Sequence, residues 1–224
     1  MHRPTFRFTI FLLSIYLTGC ATAGGVIAGD RYTSPRGWFS VQVPKSSNLH
    51  GVRFTIKDDT QNSHDANYDV VTFSAKDFGE SFIVGVDYFP DDVIAKNRMR
   101  EEGHRTVLSK LSNMALGIAR QGQGYPSKPK VIKEEYLSTP YGEALFRLYL
   151  AEKGSTIVEI KSGGGMPPVA KALDALIAIV VTMQKNNFIY AISESADDGA
   201  SIDSSKDESK KRIQSFFATI TVPQ

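Results

Sequence analysis

Leu176-Ile177-Ala178-Ile179-Val180-Val181-Thr182-Met183 is apolar and rich in β-branched residues. After Gln184-Lys185-Asn186-Asn187 a second such run follows, Phe188-Ile189-Tyr190-Ala191-Ile192. Two short apolar runs joined by a polar link read as a buried β-hairpin. The stretch 169–183 is too short for a membrane helix, which needs about 20 residues, and it carries Lys171 and Asp174.

The pattern before the hairpin also reads as strands. Glu143 to Ala151 sets Ala144, Phe146, Leu148 and Leu150 on one face, and Lys130 to Leu137 precedes it across the turn Thr139-Pro140-Tyr141-Gly142. Thr156 to Ile160 forms another strand after Lys153-Gly154, and a loop follows at Ser162-Gly163-Gly164-Gly165-Met166-Pro167-Pro168. Further back the period changes. Val107, Leu108, Leu111, Met114, Ala115 and Ile118 recur at three and four residues, the stripe of an amphipathic helix. That helix is expected to begin between Ala95 and Arg100 and to stop near Gly122 and Gly124, with Gly103 and Gly117 as weak points inside it.

The first third alternates with period two. Phe39, Val41 and Val43 form one apolar set, and Val52, Phe54 and Ile56 another; Val70 to Ala75 and Phe82 to Phe89 continue the series. At the other end, Ser193 to Ser205 reads as a polar, mobile link. Ser205-Lys206-Asp207-Glu208 fits a capping box that opens a closing helix with the stripe Ile213, Phe216, Phe217 and Ile220. The order of strands, long helix, strands and final helix predicts the α+β class: an antiparallel β-sheet with a long central helix and a C-terminal helix packed on it.

Tyr32-Thr33-Ser34-Pro35-Arg36-Gly37-Trp38-Phe39-Ser40-Val41-Gln42-Val43-Pro44 has a turn with glycine, then an aromatic, then a strand ending in proline. It resembles the opening of PsbP-like domains and of the related Mog-like nuclear import factors. The late hairpin and the helix ending in Phe216-Phe217 resemble that fold's closing unit. The resemblance implies a binding or assembly factor without a shared catalytic site, so no functional residue is carried over. Trp38 is expected in the core, since large aromatics are mostly buried.

The N-terminus has its own grammar. Met1 to Arg7 holds His2, Arg3 and Arg7 without an acid, Phe8 to Thr18 is apolar, and Leu17-Thr18-Gly19-Cys20 closes the run. This stretch resembles the lipobox of bacterial lipoproteins. The resemblance implies diacylglyceryl transfer to Cys20, the chain's single cysteine, and cleavage between Gly19 and Cys20. Ala21, rather than an aspartate, resembles an outer-membrane sorting signal of the enteric type. The chain then divides into residues 1–19 as leader, 20–30 as lipidated N-terminus and small-residue tether, and 31–224 as a single α+β domain.

Loss of the leader lowers Lys+Arg from 26 to 24, equal to the 24 acids. No basic surplus is left for nucleic acid, and the cluster Lys210-Lys211-Arg212 lies beside Asp207 and Glu208, as on a solvated helix face. With one cysteine the domain makes no internal disulfide, so its core must stabilise it.

Catalytic patterns are weak. Ser127-Lys128-Pro129-Lys130 matches S-x-x-K without its partner motifs. His50, His64 and His104 are scattered, and His104 with Glu101 reads as a surface pair. Asp197-Asp198-Gly199 with Asp203 lacks calcium-loop spacing, and Gly163-Gly164-Gly165 lacks the lysine of a phosphate loop. The expected function is therefore that of a non-catalytic lipoprotein, without cofactor or metal, that binds an envelope protein and is held to the membrane by lipid. Two alternatives stand beside it. A small-ligand or lipid-binding module would show a large internal apolar cavity. An enzyme acting on envelope polymers would show convergent His, Asp or Glu in a cleft.

Overall fold

The computed structural model describes residues 24–44, 54–58, 68–75, 80–96, 99, 101–120, 128–152, 157–160, 169–172, 174–197 and 202–223. The strands are β1 (Val26–Ala28), β2 (Arg31–Thr33), β3 (Ser40–Gln42), β4 (Thr55–Asp58), β5 (Tyr68–Ala75), β6 (Glu80–Tyr88), β7 (Lys130–Thr139), β8 (Gly142–Ala151), β9 (Ile157–Ile160), β10 (Val169–Ala172), β11 (Asp174–Gln184) and β12 (Asn187–Asp197). The helices are α1 (Asp91–Lys96), α2 (His104–Arg120) and α3 (Ile202–Ala218). A seven-stranded antiparallel sheet in the order β4-β5-β6-β12-β11-β8-β7 forms the centre, so the fold is α+β as the sequence predicts.

The hairpin of β11 and β12 is the middle of that sheet. Eleven residues of each strand pair around Lys185 and Asn186, and Lys185 takes the left-handed turn conformation with φ of 54°. Its unbroken apolar character has a physical cause: both faces of the sheet are covered. Leu176, Ala178, Val180, Ile189 and Ala191 face α3, whereas Ala175, Ile177, Ile179, Val181, Phe188, Tyr190 and Ile192 face α2. β8 is likewise split, with Ala144, Phe146 and Leu148 toward α3 and Leu145, Tyr149 and Ala151 toward α2.

A small sheet of β1, β2 and β3 completes the α3 side through Tyr32, Phe39 and Val41. It is tied to the end of the chain. Ser40 and Thr221 exchange backbone hydrogen bonds at 2.8 Å, and the Arg31 guanidinium donates to the Thr219 carbonyl at 3.0 Å. The outer strand β7 carries its own protection against edge pairing: a bulge between Val131 and Lys133, and ion pairs Lys130–Glu152, Lys133–Asp207 and Lys210–Glu135.

Several expectations need correction. The central helix starts at His104, so Gly103 lies outside it, where its carbonyl accepts the Val107 amide. Its buried stripe includes Ser112, whose hydroxyl meets that of Tyr149 at 3.2 Å, while Met114 points outward. Asp91 and Asp92 open a short helix, α1, that the periodicity does not reveal. Ser193 to Asp197 extend β12 rather than forming a link, and α3 begins at Ile202, so Ser205 is inside the helix and not its cap. β9 pairs with β10 as a separate two-stranded sheet. Part of the stretch read as tether is a strand, β1. The Gly163-Gly164-Gly165 loop and the Lys153-Gly154 turn lie outside the described residues.

Candidate binding groove

On the α3 side, an open groove of about 350 Å³ runs between the C-terminal half of α3, the end of β3 and the start of β6. Each wall follows from a local rule. Ser215, Phe216 and Thr219 recur on one face of α3, with Lys211 and Arg212 a turn earlier. Gln42, Val43 and Pro44 leave β3, where Pro44 has no amide to continue a ladder. Phe82 comes from β6 and packs on Phe216 with ring centroids 4.9 Å apart. The Thr219 hydroxyl accepts the Gln42 amide at 3.3 Å and donates to the Phe216 carbonyl at 2.8 Å, which holds the two walls together.

Charge is arranged on the rim. Arg212 pairs with the buried Glu80 carboxylate and lies 5.6 Å from the Phe82 ring centre. Burial lowers the Arg212 guanidinium from its ordinary value. Lys210 turns away to Glu135 and lowers that carboxyl by hydrogen bonding. Lys211 is exposed at the mouth. The three consecutive cations, read from sequence as one solvated cluster, thus have three different environments.

Three other acids are noteworthy. Asp58 accepts the Gly25 amide at 2.6 Å and the Tyr32 hydroxyl at 2.7 Å; burial, with Asp58 adding to it, pushes the Tyr32 hydroxyl up. Asp69 is fully buried, and burial raises its carboxyl against the opposing hydrogen bonds of Ser34 and of the Arg36 amide. Asp87 is pushed up to about 7 by burial, against a weaker pull from Tyr190. Asp58 and Asp69 both act on the Tyr32 hydroxyl, whereas Glu80 and Asp87 stand apart from them. Asp69 and Glu80 are near opposite ends of the β5–β6 pair, and strand alternation turns Asp87 to the α2 face. Among the described residues no three of His, Cys, Asp and Glu gather in a metal-holding group.

Of the cationic cluster read from the sequence, Lys211 and Arg212 line the groove; the candidate catalytic and metal-binding residues that the structure describes do not. Cys20, Gly19, His50, His64, Ser127, Asp198 and Gly199 lie outside the described residues. His104 sits at the start of α2 with Nε2 3.4 Å from the Glu143 carbonyl, and its neighbour Arg105 pairs with the Glu143 carboxylate at 2.8 Å. Asp197 ends β12 and Asp203 is in α3, so they share no loop. Trp38 is half-buried beneath the Arg36 guanidinium, 4.9 Å from the ring centre, rather than in the core. Trp38 stands in the connection between β2 and β3, and the Arg36 that covers its ring pairs with Asp69. The groove residues Val43, Phe82 and Phe216 gave no signal beyond their strand and helix periods, because surface and core aromatics look alike in one dimension.

No known protein family and no curated protein matches this chain. Solved structures of similar outline exist. The solution structure of cyanobacterial PsbP (CyanoP) from Synechocystis sp. PCC 6803 has a TM-score of 0.49 and 14% identity, covering 92% of this chain and 96% of that one. The Saccharomyces cerevisiae Ran-binding protein Mog1p has a TM-score of 0.46 and 9% identity, covering 88% and 96%.

Proposed function

We propose that this chain is a non-catalytic binding or assembly module of the bacterial envelope, anchored by lipid on Cys20 at the periplasmic face of the outer membrane. The groove supports the binding part of this reading. Its floor of Val43, Phe82 and Phe216 suits an apolar side chain, and Lys211 at its mouth suits a neighbouring carboxylate. The occupant is therefore a segment of an envelope protein that places an acidic residue beside a large apolar one. The groove is open, and the sheet faces on either side of it are filled by side chains. Being open, this groove does not enclose a small ligand.

A photo-crosslinking amino acid at Ser215, on the groove wall, tests the reading in cells. The expected result is a reproducible adduct with one envelope protein, identified by mass spectrometry and reduced at least fivefold by Lys211→Glu. Lys211 is exposed, so this variant should keep the wild-type Tm. Absence of any reproducible adduct overturns the reading.

A further inference from the structure

The fold begins close to the proposed anchor. The Gly25 amide is bonded to Asp58 on β4, and the Tyr32 ring lies where a Cβ on residue 25 would stand. From Gly25 onward the chain therefore belongs to the domain. Five Cα steps separate Cys20 from Gly25, and fully extended they span at most about 18 Å. The radius of gyration of a domain of roughly 200 residues is about 16 Å, so its diameter is near 40 Å. A lipid on Cys20 would thus hold β1 at the bilayer within less than half a domain diameter, whatever path the intervening residues take.

β1 has the surface for such a place. Val26 is 66% exposed and Ile27 49%; as neighbours on a strand they point to opposite faces, but β1 is the outer strand of the small sheet, so an edge-on approach to a surface brings both side chains to it. The other large apolar residues exposed among the described residues, Tyr88, Met114 and Val131, are on three different elements. We infer that β1 is a membrane-contact surface: Val26 and Ile27 enter the boundary between headgroups and acyl chains of the bilayer that holds Cys20. This rests on the lipid-anchor reading and deepens it, because it turns a tether into a defined seat on the membrane.

The test uses the full-length lipidated protein. With the Cys20 sulfur alkylated, Ile27→Cys supplies one free thiol for an environment-sensitive fluorophore, and Met114→Cys supplies a control on the outer face of α2. Both are reconstituted into phosphatidylethanolamine–phosphatidylglycerol vesicles carrying nitroxide-labelled lipid. The probe at 27 should shift to the blue and lose at least half its emission to the nitroxide, while the probe at 114 should do neither. Val26→Cys should repeat the result at 27. A water-like, unquenched probe at 26 and 27, on protein whose N-terminal peptide carries the diacylglyceryl mass, overturns the contact and leaves the anchor standing. A peptide without that mass overturns the anchor and the inference with it.

Discussion

The hydroxyl of Tyr190 lies against the backbone of Gly85, its register partner across β12 and β6, in the space a Cβ would take. The fully buried Tyr190 ring is held from the side by Phe188, with centroids 4.8 Å apart, so it has little room to retreat. Gly85→Ala should overpack this point and cost about 1–3 kcal/mol. For a domain of this size that is a fall in Tm of about 5 °C by differential scanning calorimetry. An unchanged Tm would mean that Tyr190 swings aside freely.

The α2 stripe can be tested by contrast. Leu111 is fully buried against the sheet, and Met114, three residues on, is 44% exposed. Leu111→Asp should put an unpaired charge into the core and cost on the order of 4 kcal/mol or more. Met114→Asp should leave the Tm within a degree or two of wild type. Leu111→Ala, which loses about 2–5 kcal/mol, gives a measurable midpoint if the aspartate variant does not fold.

Asp87 should make stability depend on pH. Its carboxyl rises from an ordinary 3.8 to about 7 in the fold because burial disfavours the charged form. The folded state therefore holds the proton more tightly than the unfolded one. Stability from this group is full below the unfolded value and is lost as pH rises through the folded one. Asp87→Asn removes the titration. Between pH 5 and 8 the wild type should lose roughly 3 kcal/mol relative to the variant, taking 1.36 kcal/mol per unit. Urea denaturation of both proteins at the two pH values checks this; parallel stabilities would show that Asp87 titrates normally.

Cys20→Ala isolates the anchor. The variant lacks the sulfur that would carry the diacylglyceryl group, and no described helix is long and apolar enough to cross a membrane. It should fail to label with a palmitate analogue and should keep its leader, while a chain starting at Gly24 should fold and stay in the soluble fraction. Wild-type protein without lipid label would remove the basis for the localisation.

Periodicity in one dimension carries much of this architecture. Period two in Val70–Ala75 and Glu143–Ala151, and period three to four in Val107–Ala115, follow from local backbone geometry, so the strands, α2 and the α+β class could be read directly. The continuous run Leu176–Met183 was legible as buried for the same reason: a strand covered on both faces has no polar face to show. Local pattern also misled. Ser205 to Glu208 has the chemistry of a cap, yet α3 starts three residues earlier, and polar Ser193 and Glu194 are buried because β12 passes between β6 and β11.

The candidate groove required the tertiary structure. Val43, Phe82 and the α3 pair Lys211 and Phe216 come from three distant segments and meet because α3 packs beside the small sheet across one face of the large one. The raised Asp87 carboxyl, the Gly85–Tyr190 contact and the Gly25–Asp58 bond arise in the same way, from strand register and burial. The sequence alone determined the single cysteine, the apolar run that precedes it and the alternation of elements, because these are properties of neighbours along the chain. Which side chains share a wall, and which acids lose their water, depends on how the sheet faces are covered, and only the assembled fold decides that.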